Sequence, residues 1–159
     1  PYTTLFRSNA LGSNLVEQMR SVTDAVKPIA DLIEEGYEVI NYGTDTTESY
    51  DYPKAASVLC KAILNQEVDL GIAICGTGVG ISIACNKHKG IRACCCSEAT
   101  SARLTRQHNN ANVICFGARV VSNELANDIV DTFLKTEFSH GERHQKRIDM
   151  ISAIENNEL

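Results

Sequence analysis

The chain reads as an α/β protein whose parallel sheet is doubly wound, with helices on both faces in three layers. Three observations carry that reading. Short β-rich runs recur at Tyr37–Asn41, Leu70–Ile74, Ile91–Cys96 and Asn112–Phe116. Segments with helical spacing lie between and after them, and strands alternating with helices of this length pair in parallel through right-handed crossovers. With 159 residues, 43% of them hydrophobic, the chain has apolar material for one core, so a single domain over residues 1–159 is expected.

Taken in order, the elements have local reasons. Pro1–Ser8 (PYTTLFRS) shows no clear periodicity, residues 1–23 are atypical, and a first strand is expected near Phe6–Leu11. Helical spacing runs over Asp24–Glu35, and Gly36 in EEGYEV ends that helix and turns it into the strand Tyr37–Asn41. Pro53 in DYPKAA suits the first turn of a helix over Pro53–Asn65. Leu70–Ile74 is a buried strand, and Val79–Lys87 is the helix that follows its glycine loop. Ile91–Cys96 and Asn112–Phe116 are strands that bracket a helix over Ser97–His108, and helices over Ser122–Leu134 and Glu142–Ile154 complete the chain.

Composition excludes several function classes. The formal net charge is −5, and no run of lysine and arginine or basic-aromatic interleaving offers a nucleic-acid face. No apolar stretch approaches the roughly 18–20 residues a spanning helix needs, and no basic-then-apolar leader opens the chain, so neither nucleic acid nor membrane is an expected partner. Seven cysteines, three of them consecutive at Cys94–Cys96, suit neither a disulfide framework nor a CxxC motif. A reducing, cytoplasmic setting is the natural expectation. In a strand, alternate thiols of the triple face opposite sides and serve as small hydrophobes.

The chemistry concentrates in two stretches. In DLGIAICGTGVGIS a strand ends on Cys75 and passes into the loop Gly76–Gly80. The carboxyl ends of parallel strands form the ligand crevice, and small residues there let backbone N–H groups converge on an oxyanion, with the next helix beginning near Val79. The loop is no Walker motif, since no GK[ST] follows, and no dinucleotide fingerprint, since the third spaced glycine is missing. A cysteine phosphatase loop would carry arginine where Ile81 stands. The second stretch, RQHNNAN, puts His108, Asn109, Asn110 and Asn112 at a helix end before a strand. An imidazole there either caps the helix or moves a proton to or from a sugar oxygen, with Asn109 orienting hydroxyls. Arg143 and Arg147 are four apart, so one helix face presents both, either to solvent or to one phosphate, and Arg119 adds a third guanidinium. His140 and His144 share the i, i+4 spacing, but no third ligand or HExxH glutamate accompanies them, so no metal is expected.

Together these stretches resemble a known family. GYEVINYGTDTTESYDYP, DLGIAICGTGVGISIACNKHKGIRA, SARLTRQHNNANVICFGARV and GERHQKRID are similar, in order and spacing, to the type B ribose-5-phosphate isomerases and the galactose-6-phosphate isomerases related to them, over about Gly36–Ile154. The resemblance implies a five-stranded, flavodoxin/Rossmann-like sheet and a homodimer, or a tetramer, with sites shared between subunits. A C-terminal helix would reach the partner subunit. It implies metal-free, cofactor-free interconversion of ribose 5-phosphate and ribulose 5-phosphate. Cys75 then falls on the base that removes the C2 proton, and Gly76, Gly78, Val79 and Gly80 on the anion hole for the cis-enediolate. His108 with Thr77 falls on ring opening, Asn109 and Tyr52 on sugar contacts, and Arg119, Arg143 and Arg147 on phosphate ligands.

The N-terminus departs from the pattern. Where the family carries a GSDHAG-like motif, the nearest echo is ALGSN, with Asn14 and Leu15 in the Asp and His places, and SVTDAV with Asp24 is a second frame. Two alternatives follow: an isomerase of a six-carbon sugar phosphate such as galactose 6-phosphate or allose 6-phosphate, and a sugar-phosphate binding protein with impaired catalysis. The retained His108 favours the pentose.

Overall fold

The computed structural model describes residues 2–7, 32, 35–42 and 50–159. Strands β1 (Tyr2–Arg7), β2 (Glu38–Asn41), β3 (Leu70–Cys75), β4 (Ala93–Cys95) and β5 (Val113–Gly117) pair in parallel in one sheet of order β2-β1-β3-β5-β4. The helices with described bounds are α1 (Tyr52–Leu64), α2 (Val79–Cys85), α3 (Ala99–Asn109), α4 (Asn123–Lys135) and α5 (Glu142–Glu155).

The first strand is a correction. It lies at Tyr2–Arg7 rather than near Phe6–Leu11, with Tyr2 opposite Glu38 and Thr3 opposite Leu70. A strand flanked by neighbours on both sides of a covered sheet need not alternate apolar and polar residues, so period 2 is a poor guide there. Most of the helix expected over Asp24–Glu35, and both echoes of the N-terminal motif at Asn14, Leu15 and Asp24, lie outside the described residues. The stop at Gly36 is visible: its φ is +90°, and the Tyr37 N–H donates to the Leu32 carbonyl at 2.9 Å.

Alternation along the two central strands builds the layers. Ile72, Ile74, Ile114 and Phe116 pack with Ala102 of α3 and with Ala126, Ile129, Val130 and Phe133 of α4. Ala73, Cys75, Val113 and Cys115 point to the other face, against Ala55, Ala56, Leu59 and Cys60 of α1 and Ile81 and Cys85 of α2. One sheet therefore separates two cores. The α1 side is close-packed: a β-carbon on Gly71 would stand 2.9 Å from Leu59 Cδ1. The connection into α3 is held by the Glu98 carboxylate, which accepts the Ser101 N–H at 2.8 Å, and the start of α4 by Ser122 Oγ, which accepts the Leu125 N–H at 3.3 Å. Among the described residues no helix is long and apolar enough to cross a membrane.

Phe133 is fully buried, and the Arg106 guanidinium carbon sits 5.5 Å from its ring centroid. Phe133→Ala should cost about 3–5 kcal/mol, read as a lowered denaturant midpoint. A cost below about 1 kcal/mol would contradict the core described here.

Candidate active site

The end of β3 and the start of α2 meet across the end of β5. Cys75 pairs with Gly117 in register, and the chain then crosses directly over that glycine, so a β-carbon on Gly117 would lie 2.5 Å from the Thr77 carbonyl carbon. Gly78 has φ +78°, and a β-carbon there would lie 2.7 Å from the Phe116 carbonyl carbon. No other residue fits either place without moving the loop. The Ala118 N–H donates to the Cys75 carbonyl at 2.9 Å and the Arg119 N–H to the Gly76 carbonyl at 3.1 Å, which ties the loop to the exit of β5.

This crossing aims a donor at the sulfur. The Gly78 N–H donates to Cys75 Sγ at 3.1 Å, and Cys75 is only 7% exposed, so the thiol is held at the sheet mouth with little freedom. Thr77 and Val79 are exposed beside it, and the Val79 N–H reaches Thr77 Oγ1 at 3.4 Å. The Arg119 guanidinium lies over Gly76, its Nε 3.2 Å from where a β-carbon would stand. The Tyr52 ring lies over Gly80 in the same way, with Cζ at 2.8 Å. Cys75, Thr77, the glycine loop, Tyr52 and Arg119 therefore form one cluster.

His108 and Asn109 form a second cluster with the C-terminal helix. They end α3, whose cap Asn110 is left-handed at φ 45°. The His108 and His144 rings lie 4.2 Å apart between centroids, tilted by 42°. Ser139 Oγ donates to the Gln107 carbonyl at 2.6 Å, which leaves it to accept from His144 Nδ1 at 2.8 Å. Arg143 and Arg147 are exposed on α5. Desolvation first, then the positive neighbours His108, Arg143 and Arg147, lower the His144 pKa. The i, i+4 pair His140 and His144 does not act together: His140 packs edge-on to Phe138 at 4.9 Å. Among the described residues no group of three or more His, Cys, Asp or Glu could hold a metal ion.

The two clusters sit at opposite ends of the sheet. β5 runs from Val113, opposite Gly71, to Gly117, opposite Cys75, while His108 and Asn109 precede β5. At about 3.3 Å per residue the strand alone separates the ends by roughly 13 Å. One chain does not bring its own His108, Asn109, Arg143 and Arg147 to its own Cys75.

The family model described as Ribose/Galactose Isomerase matches residues 20–151. The chain belongs to this family. Among relatives, ribose-5-phosphate isomerase B of Escherichia coli strain K12 is 56% identical over 127 residues, covering 80% of this chain and 85% of that protein. The structure of ribose-5-phosphate isomerase B from Clostridium thermocellum superposes with TM-score 0.85 at 42% identity, with all of both chains covered. That of the Mycoplasma genitalium ribose-5-phosphate isomerase B with bound ribulose 5-phosphate gives TM-score 0.82 at 35% identity, covering 98% of this chain and 97% of that one.

Several supports of this candidate site have little sequence signal. The Arg92 Nε donates to the carbonyls of Asn109 at 2.9 Å and Asn110 at 3.1 Å, and Arg106 Nη1 donates to the Ala111 carbonyl at 2.6 Å. Burial lowers the pKa of both arginines, and the Arg92 charge lowers that of Arg106 further. Asn112 pins the same turn by accepting the Arg92 N–H at 2.8 Å and donating to the Gly90 carbonyl at 2.9 Å. The i, i+4 step from His140 drew notice to His144 in the sequence, but nothing linked it to His108 across 36 residues of chain (144 less 108). Because Arg147 is one of the charges that hold His144 low, Arg147→Gln should raise the His144 midpoint in an NMR titration. A lowered or unchanged midpoint would refute the cluster. Gly117→Ala should cost about 1–3 kcal/mol in thermal unfolding through its clash with Thr77, where a neutral result would contradict the crossing.

Proposed function

We propose that the chain interconverts ribose 5-phosphate and ribulose 5-phosphate, with Cys75 as the base, in a homodimer whose sites are shared between copies. The observation that carries this reading is the Cys75 thiol held by the Gly78 N–H at 3.1 Å, at the start of a loop whose Gly76 is covered by the Arg119 guanidinium, in a chain of the ribose/galactose isomerase family. Relatives named ribose-5-phosphate isomerase B, including one solved with ribulose 5-phosphate, favour the pentose.

In the proposed reaction Cys75 removes the C2 proton from the opened aldose, the C2–H electron pair becomes the C1–C2 double bond of a cis-enediolate, the C2 hydroxyl proton passes to the C1 oxygen, and the thiol returns its proton to C1 to give the ketose. That proton is acidic enough only if the oxygen charge is held as it develops. Main-chain donors of Gly76–Gly80 supply that hold, and one preorganised donor is worth about 2.7–4 kcal/mol. Tyr52 borders the sugar. His108 and Asn109 would come from the second copy, His108 acting with Thr77 in ring opening. Arg119, with Arg143 and Arg147 of the second copy, would grip the phosphate, for which guanidinium forks are suited.

The separation of the two clusters supports this sharing, since the Cys75 end of one chain lacks the His108, Asn109, Arg143 and Arg147 that the reaction calls on. The C-terminal helix offers a surface for it: Met150, Ile151 and Ile154 of α5 are 43%, 38% and 59% exposed, and Ile148 is its buried residue. Seven unpaired cysteines fit a reducing, cytoplasmic setting.

Exchange of the C2 hydrogen of ribose 5-phosphate with solvent deuterium should occur with the unmodified protein. Cys75→Ala should slow it by about 10²–10⁴-fold, the usual worth of a positioned base. No exchange in the unmodified protein would instead favour a binder, and faster turnover of a hexose phosphate in a coupled assay would replace the pentose. Mixing Cys75→Ala with His108→Ala chains should restore about a quarter of full activity, because half of a two-fold dimer population is mixed and each mixed dimer has one intact site. No restoration would end the shared-site reading.

A further inference from the structure

The three consecutive cysteines, the last two residues of the edge strand β4 and the one that follows it, alternate between two faces of the sheet. Cys94 and Cys96 lie on one face, with Cys96 in the core beside α3 and α4 and Cys94 packed against it. Their sulfurs are 3.4 Å apart, with the Cys96 thiol donating to Cys94 Sγ. Cys95 is exposed on the other face, its thiol 3.8 Å from the Thr77 carbonyl and its sulfur 2.9 Å from where a β-carbon on Gly78 would stand.

We propose that Cys94 and Cys96 form a peroxide-reactive dithiol that closes reversibly into a disulfide and, in closing, disturbs the Thr77–Gly78 loop. The disulfide itself is independent of the catalytic reading; its effect on turnover rests on that reading. The two thiols have different exposures that fit different roles. Cys94 is half-buried and lines an open groove of about 420 Å³ with Arg92, Thr105 and Asn109 and with Ile151 and Ile154, the α5 residues offered above to a second copy, so a small hydroperoxide reaches it where that copy leaves the groove open. Cys96 is 3% exposed and meets solvent hardly at all, so it is placed to react with Cys94 rather than with the oxidant.

The hydrogen-bond direction sets the nucleophile. The bond from Cys96, and to a lesser degree one from Thr105, lowers the Cys94 thiol pKa against the opposing effect of burial. Of the two, Cys94 is therefore the readier to give the thiolate, the form that attacks peroxides. Its sulfur attacks one peroxide oxygen; the S–O bond forms, the O–O bond breaks, and the departing alkoxide or hydroxide takes a proton. The Cys96 sulfur then attacks Cys94 Sγ; the S–S bond forms, the S–O bond breaks, and water leaves with the Cys96 proton. Two thiols and one hydroperoxide become one disulfide, one alcohol (water, for hydrogen peroxide) and one water, and the peroxide takes the two electrons.

Closure has a mechanical consequence. The sulfurs must approach from 3.4 Å to a bond of about 2.05 Å. Cys94 and Cys95 pair with Ile114 and Cys115 in the β4–β5 ladder, and the Cys96 N–H donates to the Cys115 carbonyl at 2.9 Å, so closure strains the edge strand that carries Cys95 between the two. Cys95 is the residue seated against Thr77 and Gly78. The remaining thiols have other settings: Cys60, Cys85 and Cys115 are wholly buried on the opposite face, and Cys75 is at the sheet mouth.

The test treats the full chain with hydrogen peroxide, blocks free thiols by alkylation and weighs the peptide that spans residues 94–96. The expected peptide has lost two hydrogen atoms and carries one alkyl group, on Cys95, and dithiothreitol returns all three thiols. Cys95→Ser should keep the disulfide, while Cys94→Ser, Cys96→Ser and the better-packing Cys96→Ala should abolish it. Turnover of the unmodified chain should fall with disulfide formation and recover with dithiothreitol, while Cys96→Ala resists under the same exposure. A peptide without the disulfide, or an equal and reversible loss of turnover in Cys96→Ala, would overturn the proposal. A chain that forms the disulfide but shows no turnover when reduced would refute the isomerase reading and leave the dithiol standing.

Discussion

The arrangement depends on one close approach, the passage of Thr77 and Gly78 over the end of β5. Two positions without β-carbons, Gly78 and Gly117, let main chain lie within 2.5–2.7 Å of where a side chain would begin. That contact brings the Gly78 N–H to Cys75 Sγ and seats Arg119 on Gly76. It gives a buried cysteine at a strand end a fixed donor, in a loop whose next residue is covered by a guanidinium. A preorganised polar site of this kind is effective because its dipoles need not reorient during reaction.

The second cluster is held by a different device, a turn whose carbonyls are filled by half-buried arginines. Arg92 and Arg106 donate to the carbonyls that α3 and the turn beyond it leave open between Asn109 and Ala111, and Asn112 closes the same turn from inside. Helix ends leave such carbonyls without partners, and burying them unfilled is costly. Two guanidiniums crowd one turn, and the burial that lowers both pKa values, with the Arg92 charge that lowers that of Arg106 further, is the cost of a rigid seat for His108 and Asn109. The two devices lie at opposite ends of parallel strands. A parallel sheet always separates the end of a strand from the helix end that precedes its neighbour, and shared sites are a direct way around that separation.

Much of the fold was legible in residue order. Alternating β-rich runs and helical segments, Gly36 with its positive φ, and Pro53 in the first turn of α1 are local signals whose energetics involve near neighbours, and they place β2 to β5 and α1 to α5 within a few residues. The first strand lies away from its expected place because period 2 is a poor guide inside a parallel sheet covered on both faces. The residues of the candidate site were also legible by type and motif: Cys75 with its glycines, His108 with its asparagines, and Arg143 and Arg147 one turn apart.

What the sequence by itself determined is therefore the alternation of elements and the inventory of reactive groups, since propensity, caps and helical spacing act over a few residues. Tertiary structure alone decided which groups meet. It put Arg119 over Gly76, Tyr52 over Gly80, His144 against His108 and Cys96 against Cys94, and it kept Cys75 from the His108 of its own chain. These juxtapositions follow from strand register and from the direction in which each crossover returns, and both are set by packing between residues distant in the chain.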